Sequence, residues 1–246
     1  MTTDNLVVGA DPTGLPPIAD IALARLLQLS SVSLPVGGYA FSQGLEYAVE
    51  CAWLKKVDDV ESWITLQLHE NIARVDLPIL REVMLATEHS DWLRLLKLND
   101  LLLASRETKE LRLSDTAMGE ALLRLLKSLE FDLSFLDELS KQGGTANDMS
   151  FVCLFGLCAQ QWGIPYRLTA MGLSWSWLEN QVAAATKLVP LGQTQAQQLL
   201  IKLQPILSEV INSAEHISED EIGGGLPALA IASALHETQY SRLFRS

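Results

Sequence analysis

Apolar side chains recur along most of this chain every three or four residues, the interval that returns a side chain to one face of an α-helix. From Ile18 the pattern is helical, with Asp20 placed to cap a segment whose apolar positions are Ile21, Leu23, Leu26, Leu27 and Leu29. Behind Ser42 a second helix is expected from about Gln43 toward Trp53. Asp58 and Asp59 open a third, from Val60 to about Val75, which Pro78 breaks or restarts. Residues 79–88 and 90–104 form a predicted helical hairpin turned at Ser90-Asp91. Its second arm carries Trp92, Leu93, Leu95, Leu96, Leu98, Leu101, Leu102 and Leu103, enough apolar surface to require burial on more than one side. Ser114-Asp115 is read as the start of the next helix, where Leu122, Leu123, Leu125, Leu126 and Leu129 leave Glu120, Arg124 and Lys127 for the polar face. Gly143-Gly144 marks a break. Further helices are predicted from Phe151 to Trp162, from about Tyr166 to Leu188, from Gln193 to about Glu215 with an interruption or kink at Pro205, and from about Pro227 to Thr238.

Sustained alternation of β-branched residues is absent and Leu and Ala dominate. The fold expected is therefore all-α, a single-domain bundle of roughly nine to eleven helices. Residues 1–17, with Gly9, Gly14, Pro12, Pro16 and Pro17 and no period, are expected to be a flexible N-terminal tail. Residues 18–238 then form the all-α domain and 239–246 a C-terminal tail that binds partners.

Four places depart from what periodicity and packing require. The first runs from Ser30 to Glu46. Pro35 has no N–H and steers Leu34 out of the helical region, while Gly37 and Gly38 permit positive φ, so a tight exposed elbow is predicted. Glu46 falls in the first turn of the following helix, where the dipole favours a carboxylate. Taken alone the segment is an interhelical turn, but Tyr39 and Phe41 put two rings beside its glycines, and exposed rings on a rigid turn anchor partners. The second place is Ala104-Ser105-Arg106-Glu107, which reads either as an exposed helix end with an ion pair or as a functional knot. The third is Asn180-Gln181 through Gln193, with Asn180 and Lys187 about two turns apart on one side of a helix; Lys187 also complements the helix dipole there. The fourth is the chain end. Chain ends are usually polar, whereas this one interleaves Tyr240, Leu243 and Phe244 with Arg242 and Arg245, a mixture enriched at protein interfaces.

Composition narrows the function. The formal net charge of −12 and the pI near 4.7 argue against nucleic acid as a partner, because phosphate binding needs a basic face. With 48% hydrophobic and 20% charged residues the chain is globular rather than disordered. The N-terminus lacks a positive start followed by an apolar run, and the longest apolar runs, near Phe151 to Ala159 and Leu226 to Leu235, are too short for a bilayer. A cytoplasmic protein without membrane association is expected. Cys51, Cys153 and Cys158 lie in apolar helical surroundings and read as buried thiols. His69, His89, His216 and His236 share no close spacing, and His69, His216 and His236 read as surface or helix-end residues. Cys153 and Cys158 point to different helix faces, so neither a metal nor a cofactor is expected. The phosphate-binding, dinucleotide-binding and nucleophile-elbow motifs are all absent. The run Gly223-Gly224-Gly225 reads as a flexible hinge. No carboxylate or serine pairing stands out as catalytic, so a non-catalytic binding protein is expected. The alternative is a helical hydrolase or cofactor-binding enzyme with a site assembled from distant residues, which a deep polar pocket with perturbed carboxylates would support.

The same four places are where the sequence resembles the UreF family of urease accessory proteins. The resemblance is carried by Leu34-Pro35-Val36-Gly37-Gly38-Tyr39-Ala40-Phe41-Ser42-Gln43-Gly44-Leu45-Glu46, by Ser105-Arg106-Glu107, by Lys187-Leu188-Val189-Pro190-Leu191-Gly192-Gln193, and by the end from His236 to Ser246. These motifs follow in family order and cover the chain from about Leu26 onward. The resemblance implies an all-α, homodimer-forming, non-catalytic chaperone assisting delivery of nickel to urease. It would sit between UreD (UreH in some organisms), which contacts apo-urease, and UreG, a GTPase that carries nickel. It further implies that the tail with Arg242 orders on binding UreD and shapes the surface offered to UreG. Lys187 would engage UreG, and UreG's GTP hydrolysis would be modulated. The turn through Gln43 lies near that surface in the family, although this position is aromatic in some relatives. The residues expected at partner surfaces are therefore Tyr39, Phe41, Gln43, Glu46, Lys187, Tyr240, Arg242, Leu243, Phe244 and Arg245.

Overall fold

The computed structural model describes residues 20–145 and 148–245; the expected N-terminal tail over 1–17 lies outside them. Among the described residues there are eleven α-helices and no strands. They are α1 (Asp20–Leu29), α2 (Leu45–Glu50), α3 (Val57–Gln67), α4 (Leu77–Glu88), α5 (Trp92–Ala104), α6 (Lys109–Ser128), α7 (Phe135–Lys141), α8 (Phe151–Gln161), α9 (Tyr166–Leu188), α10 (Gln193–Ala214) and α11 (Pro227–His236). A π-helix, Leu68–Asp76, joins α3 to α4 without a break. The expected all-α bundle is thus the observed one.

Helix α8 is the central post. Every residue from Phe151 to Ala159 is buried, and α4, α5, α6 and α9 pack around it. Its amphipathic neighbours turn leucine stripes toward it, which is why α8 itself is apolar all round. Ser150 starts it, its Oγ accepting from Cys153 N at 3.2 Å. On the other side α9 and α10 lie against each other, and α11 crosses α2 and α6 at the edge.

Three boundaries differ from expectation. Helix α6 begins at Lys109, not near Ser114, because Thr108 Oγ1 caps it by accepting from Leu111 N at 3.1 Å. Ser114 and Asp115 are then mid-helix, with the Ser114 hydroxyl donating back to Leu111 O. Helix α2 is shorter than expected, since Gly44 at φ 81° is its cap and Ala52 at φ 58° follows its end. Pro78 does not interrupt the chain. The wider π turn, in which Leu77 N donates to Ile72 O, carries the backbone up to the proline. Pro78 cannot donate to the carbonyl four residues earlier, and Arg74 O instead accepts from Gly223 N at 3.2 Å. Arg74 Nε donates in return to Gly223 O at 3.1 Å. The glycine run is therefore packed against the π-helix rather than hinged: a Cβ on Gly224 would lie 2.3 Å from Glu70 O.

The cysteines divide. Cys153 and Cys158 are buried as expected and burial pushes both thiols up to about 12. Cys51 is exposed at the end of α2, contrary to expectation, because that short helix terminates at the surface.

Candidate functional site

The elbow is built as the residues demand. Gly37 takes φ 77°, Gly38–Ala40 form a single 3-10 turn, and the chain enters α2 through Gln43 at φ 50° and Gly44 at φ 81°. A left-handed glutamine is unusual, and its side chain is held: Gln43 Oε1 accepts from Trp177 Nε1 at 2.7 Å and from Gln181 Nε2 at 3.2 Å. Tyr39 is 60% exposed at the tip. Phe41, expected to be an exposed ring, is buried because the chain end folds over it.

Beneath the elbow lies a cavity of about 80 Å³. It is lined by Gln43 and Gly38 from the elbow, by the Ser105-Arg106-Glu107 knot, and by Asn180 and Gln181 of α9. Three of the four places singled out in the sequence thus meet at one chamber. The knot is not an exposed helix end. Arg106 is buried between two carboxylates, its Nη2 donating to Asp76 Oδ1 at 2.7 Å and its Nε to Asp115 Oδ2 at 2.5 Å. Two buried carboxylates share one guanidinium, so one negative charge is left without a counter-ion. Burial, aided by Asp115 and opposed by Arg106, pushes Asp76 up to about 6. Burial opposes the charge on Arg106, but Asp115 and Asp76 outweigh it and hold the group above its ordinary value.

Gln67 Nε2 and Gln181 Oε1, both deeply buried in the lining, find no protein partner among the described residues. The chamber suits water, at about 30 Å³ per molecule, and falls well short of the roughly 300 Å³ where small-molecule sites begin. Among the described residues no group of three or more His, Cys, Asp or Glu side chains is placed to hold a metal ion.

The raised Asp76 makes stability pH-dependent. Its folded value near 6 lies above its ordinary 3.8, so the contribution is fully present below 3.8 and is lost as pH rises through about 6. Relative to Asp76→Asn, the wild-type chain is expected to lose about 2 kcal/mol between about pH 4.5 and about pH 7.5. Denaturant titrations of both chains across that range check it; parallel curves would contradict the assignment.

The chain end completes the site. Residues 237–245 turn back from α11 and dock on the elbow. Glu46, itself buried in the first turn of α2, accepts Leu243 N on Oε1 at 2.6 Å and Phe244 N on Oε2 at 2.9 Å. Arg245 N donates to Ala40 O at 2.8 Å. Phe244 is buried, with Lys187 Nζ 5.4 Å from its ring centre, and Arg245 lies 6.0 Å over the ring of Phe41. Arg242 Nη1 pairs with Glu110 Oε1 at 3.0 Å, while its Nη2 donates to Arg245 O at 2.5 Å and closes the loop. The remaining oxygen of Glu110 faces His236 Nδ1 at 2.7 Å, and His236 Nε2 lies 3.0 Å from Glu46 Oε2.

Nine of the ten expected partner-surface residues therefore sit in or beside one docked assembly, with Gln43 beneath it and Tyr39 beside it at the elbow tip. They divide by exposure. Phe41, Glu46 and Phe244 are internal and hold the surface up; Tyr39, Lys187, Tyr240, Arg242, Leu243 and Arg245 face outward. His236, read from sequence as a surface or helix-end residue, is wholly buried. It extends the buried stripe Leu229, Ala232 and Ser233 of α11 by one further turn, so helical spacing alone placed it inward. Glu110 and Asp76 carried no local signal, and Asp115 carried only that of a helix start.

Comparison with known proteins agrees with this architecture. The UreF family model matches residues 54–204. A Urease accessory protein UreF of Marinomonas sp. (strain MWYL1) is 60% identical over 229 residues, 92% of this chain and 95% of the relative. The protein of the same name from Alkalilimnicola ehrlichii is 43% identical over 228 residues, covering 92% of this chain and 96% of the relative. That from Pseudomonas putida (strain W619) is 44% identical over 232 residues, 93% and 99% of the two chains. No described helix is long and apolar enough to cross a membrane. With its helical bundle, its docked chain end and relatives that match it over nearly their whole length, the chain belongs to the UreF family, non-catalytic accessory proteins of urease maturation.

Proposed function

We propose that this chain bridges UreD (or UreH), and through it apo-urease, to the nickel-carrying GTPase UreG, acting as a cytoplasmic homodimer during nickel insertion. The observation that carries the reading is the docked tail. Its buried part, Phe244 and the Glu46 contacts, fixes its outer part, in which Tyr240 is fully exposed and Leu243 is 62% exposed. Large apolar groups displayed on a rigid support are what a partner buries at the centre of an interface. The outer side of α11 continues the patch without a charge, through Pro227, Ala228, Ile231, Ala234 and Leu235. Lys187 and Arg242 border the groove beside the tail together with Glu46 and Glu50, so its rim presents both signs of charge to a partner. Arg242 is already occupied by Glu110, so an arginine acting on UreG's GTP hydrolysis would be Arg245.

The test is co-purification with UreD and UreG of the full chain against one ending at Thr238, followed by urease activation with nickel and GTP. The shortened chain is expected to keep its helical content and to lose the ternary complex. Normal assembly by the shortened chain would overturn the role given to the tail.

A further inference from the structure

Nothing in the sequence pattern marks Glu110, and His236 reads there as a helix-end residue. In the structure they meet Glu46 in a buried cluster: His236 is 0% exposed, Glu110 5% and Glu46 6%. Both ring nitrogens of His236 face carboxylate oxygens, at 2.7 and 3.0 Å. The ring is therefore held between the two glutamates and fixes both of them.

We propose that His236, bridged to Glu110, is the positioning residue of the docked tail. The inference rests on the tail being the assembly surface, but its mechanism is internal to the chain. Glu46 Oε2 is shared between His236 Nε2 and Phe244 N, so the imidazole sets the carboxylate that receives the tail. Glu110 is shared in the same way between His236 and Arg242, the residue that closes the tail loop. The bridge thus ties α2, α6 and α11 to the tail through one ring. Thr108 and Ser233, whose hydroxyls lie 2.7 Å apart, hold α11 to the start of α6 beside it. The charged groups facing His236 are Glu46 from α2, Glu110 from α6 and, across Glu110, Arg242 from the tail; Lys187 of α9 meets the tail at Phe244.

Without the ring, Glu46 and Glu110 lose the group that fixes how they face the tail. Hydrogen exchange of the tail in the isolated full-length chain at a single pH, corrected for intrinsic rates, tests this directly. His236→Gln is expected to lower tail protection about tenfold while leaving that of α2, α6 and α11 unchanged, and Glu110→Gln, whose amide can donate to the ring while its carbonyl accepts from Arg242, is expected to keep most of it. Wild-type tail protection in His236→Gln, or an equal loss across α2, α6 and α11, would overturn the proposal. Loss of protection with partner assembly intact would instead overturn the bridging role of the tail and leave the positioning role standing.

Discussion

Arg106→Met is expected to lower the unfolding free energy by about 3–5 kcal/mol, because it strands two buried carboxylates that the guanidinium now joins. Arg106 bridges Asp76, at the end of the π-helix, to Asp115, on the second turn of α6, and both acids are largely withdrawn from solvent. For a chain of this size such a loss shifts the melting midpoint by about 10 °C. The loss is expected to shrink toward pH 5, where protonation relieves the stranded groups at about 1.4 kcal/mol per pH unit. The triple variant Asp76→Asn, Arg106→Met, Asp115→Asn removes the charges together and is expected to recover most of the stability. Melting curves of the single and triple variants decide it. A single variant that melts like the wild type would mean the guanidinium is not what makes these carboxylates tolerable.

Glu46→Ala is expected to act differently, leaving the bundle folded and abolishing assembly. Its carboxylate receives Leu243 N, Phe244 N and His236, bonds to a charged group that contribute about 1.5–3 kcal/mol each when no alternative exists. Here an alternative exists. A chain end that detaches regains water for its amides, so the cost is capped by the free energy of tail release instead of accumulating in the fold. The melting midpoint is expected to move by about 2 °C or less, while capture of UreD weakens about a hundredfold. Phe244, which buries against the elbow beside Lys187, would be freed in the same step. Pull-down against UreD with a melting curve of the same preparation separates the outcomes: normal capture by a folded Glu46→Ala chain would detach the tail from assembly.

The two charge clusters both adjoin the elbow and share elements. The Arg106 triad is set under it with Gln43 and Asn180, and the His236 bridge is set beside it under the tail. Helix α6 carries a member of each, Glu110 and Asp115, and Thr108 caps its start against Ser233 of α11. A change at the Ser105-Arg106-Glu107 knot therefore acts on the chain that supports the tail without touching the tail itself. Gly225 adds a second link, since a Cβ there would lie 2.6 Å from Glu107 Oε1. Motifs far apart along the chain are thereby packed into one region.

Most of the secondary structure was legible because its signals are local. The helix from Tyr166 to Leu188 and its stop before Pro190 depend on side chains within a few turns, and α9 has those bounds. The break at Gly143-Gly144, the Asp91 cap and the start of α11 at Pro227 are of the same kind. The short α7 escaped notice because seven residues are two turns, too few for a period to declare itself. The elbow and the tail were legible as anomalies, apolar or aromatic groups where local rules ask for polar ones. Which residues those anomalies answer to was not legible. Arg106 meets Asp76 across 30 positions, His236 meets Glu110 across 126 and Glu46 across 190. A carboxylate has no periodicity, and its role depends on whether the fold leaves it in water or closes it against a cation. Sequence alone determined most of the helices and the family; the tertiary structure decided which charges are buried together, because burial is a property of packing between elements that no single element contains.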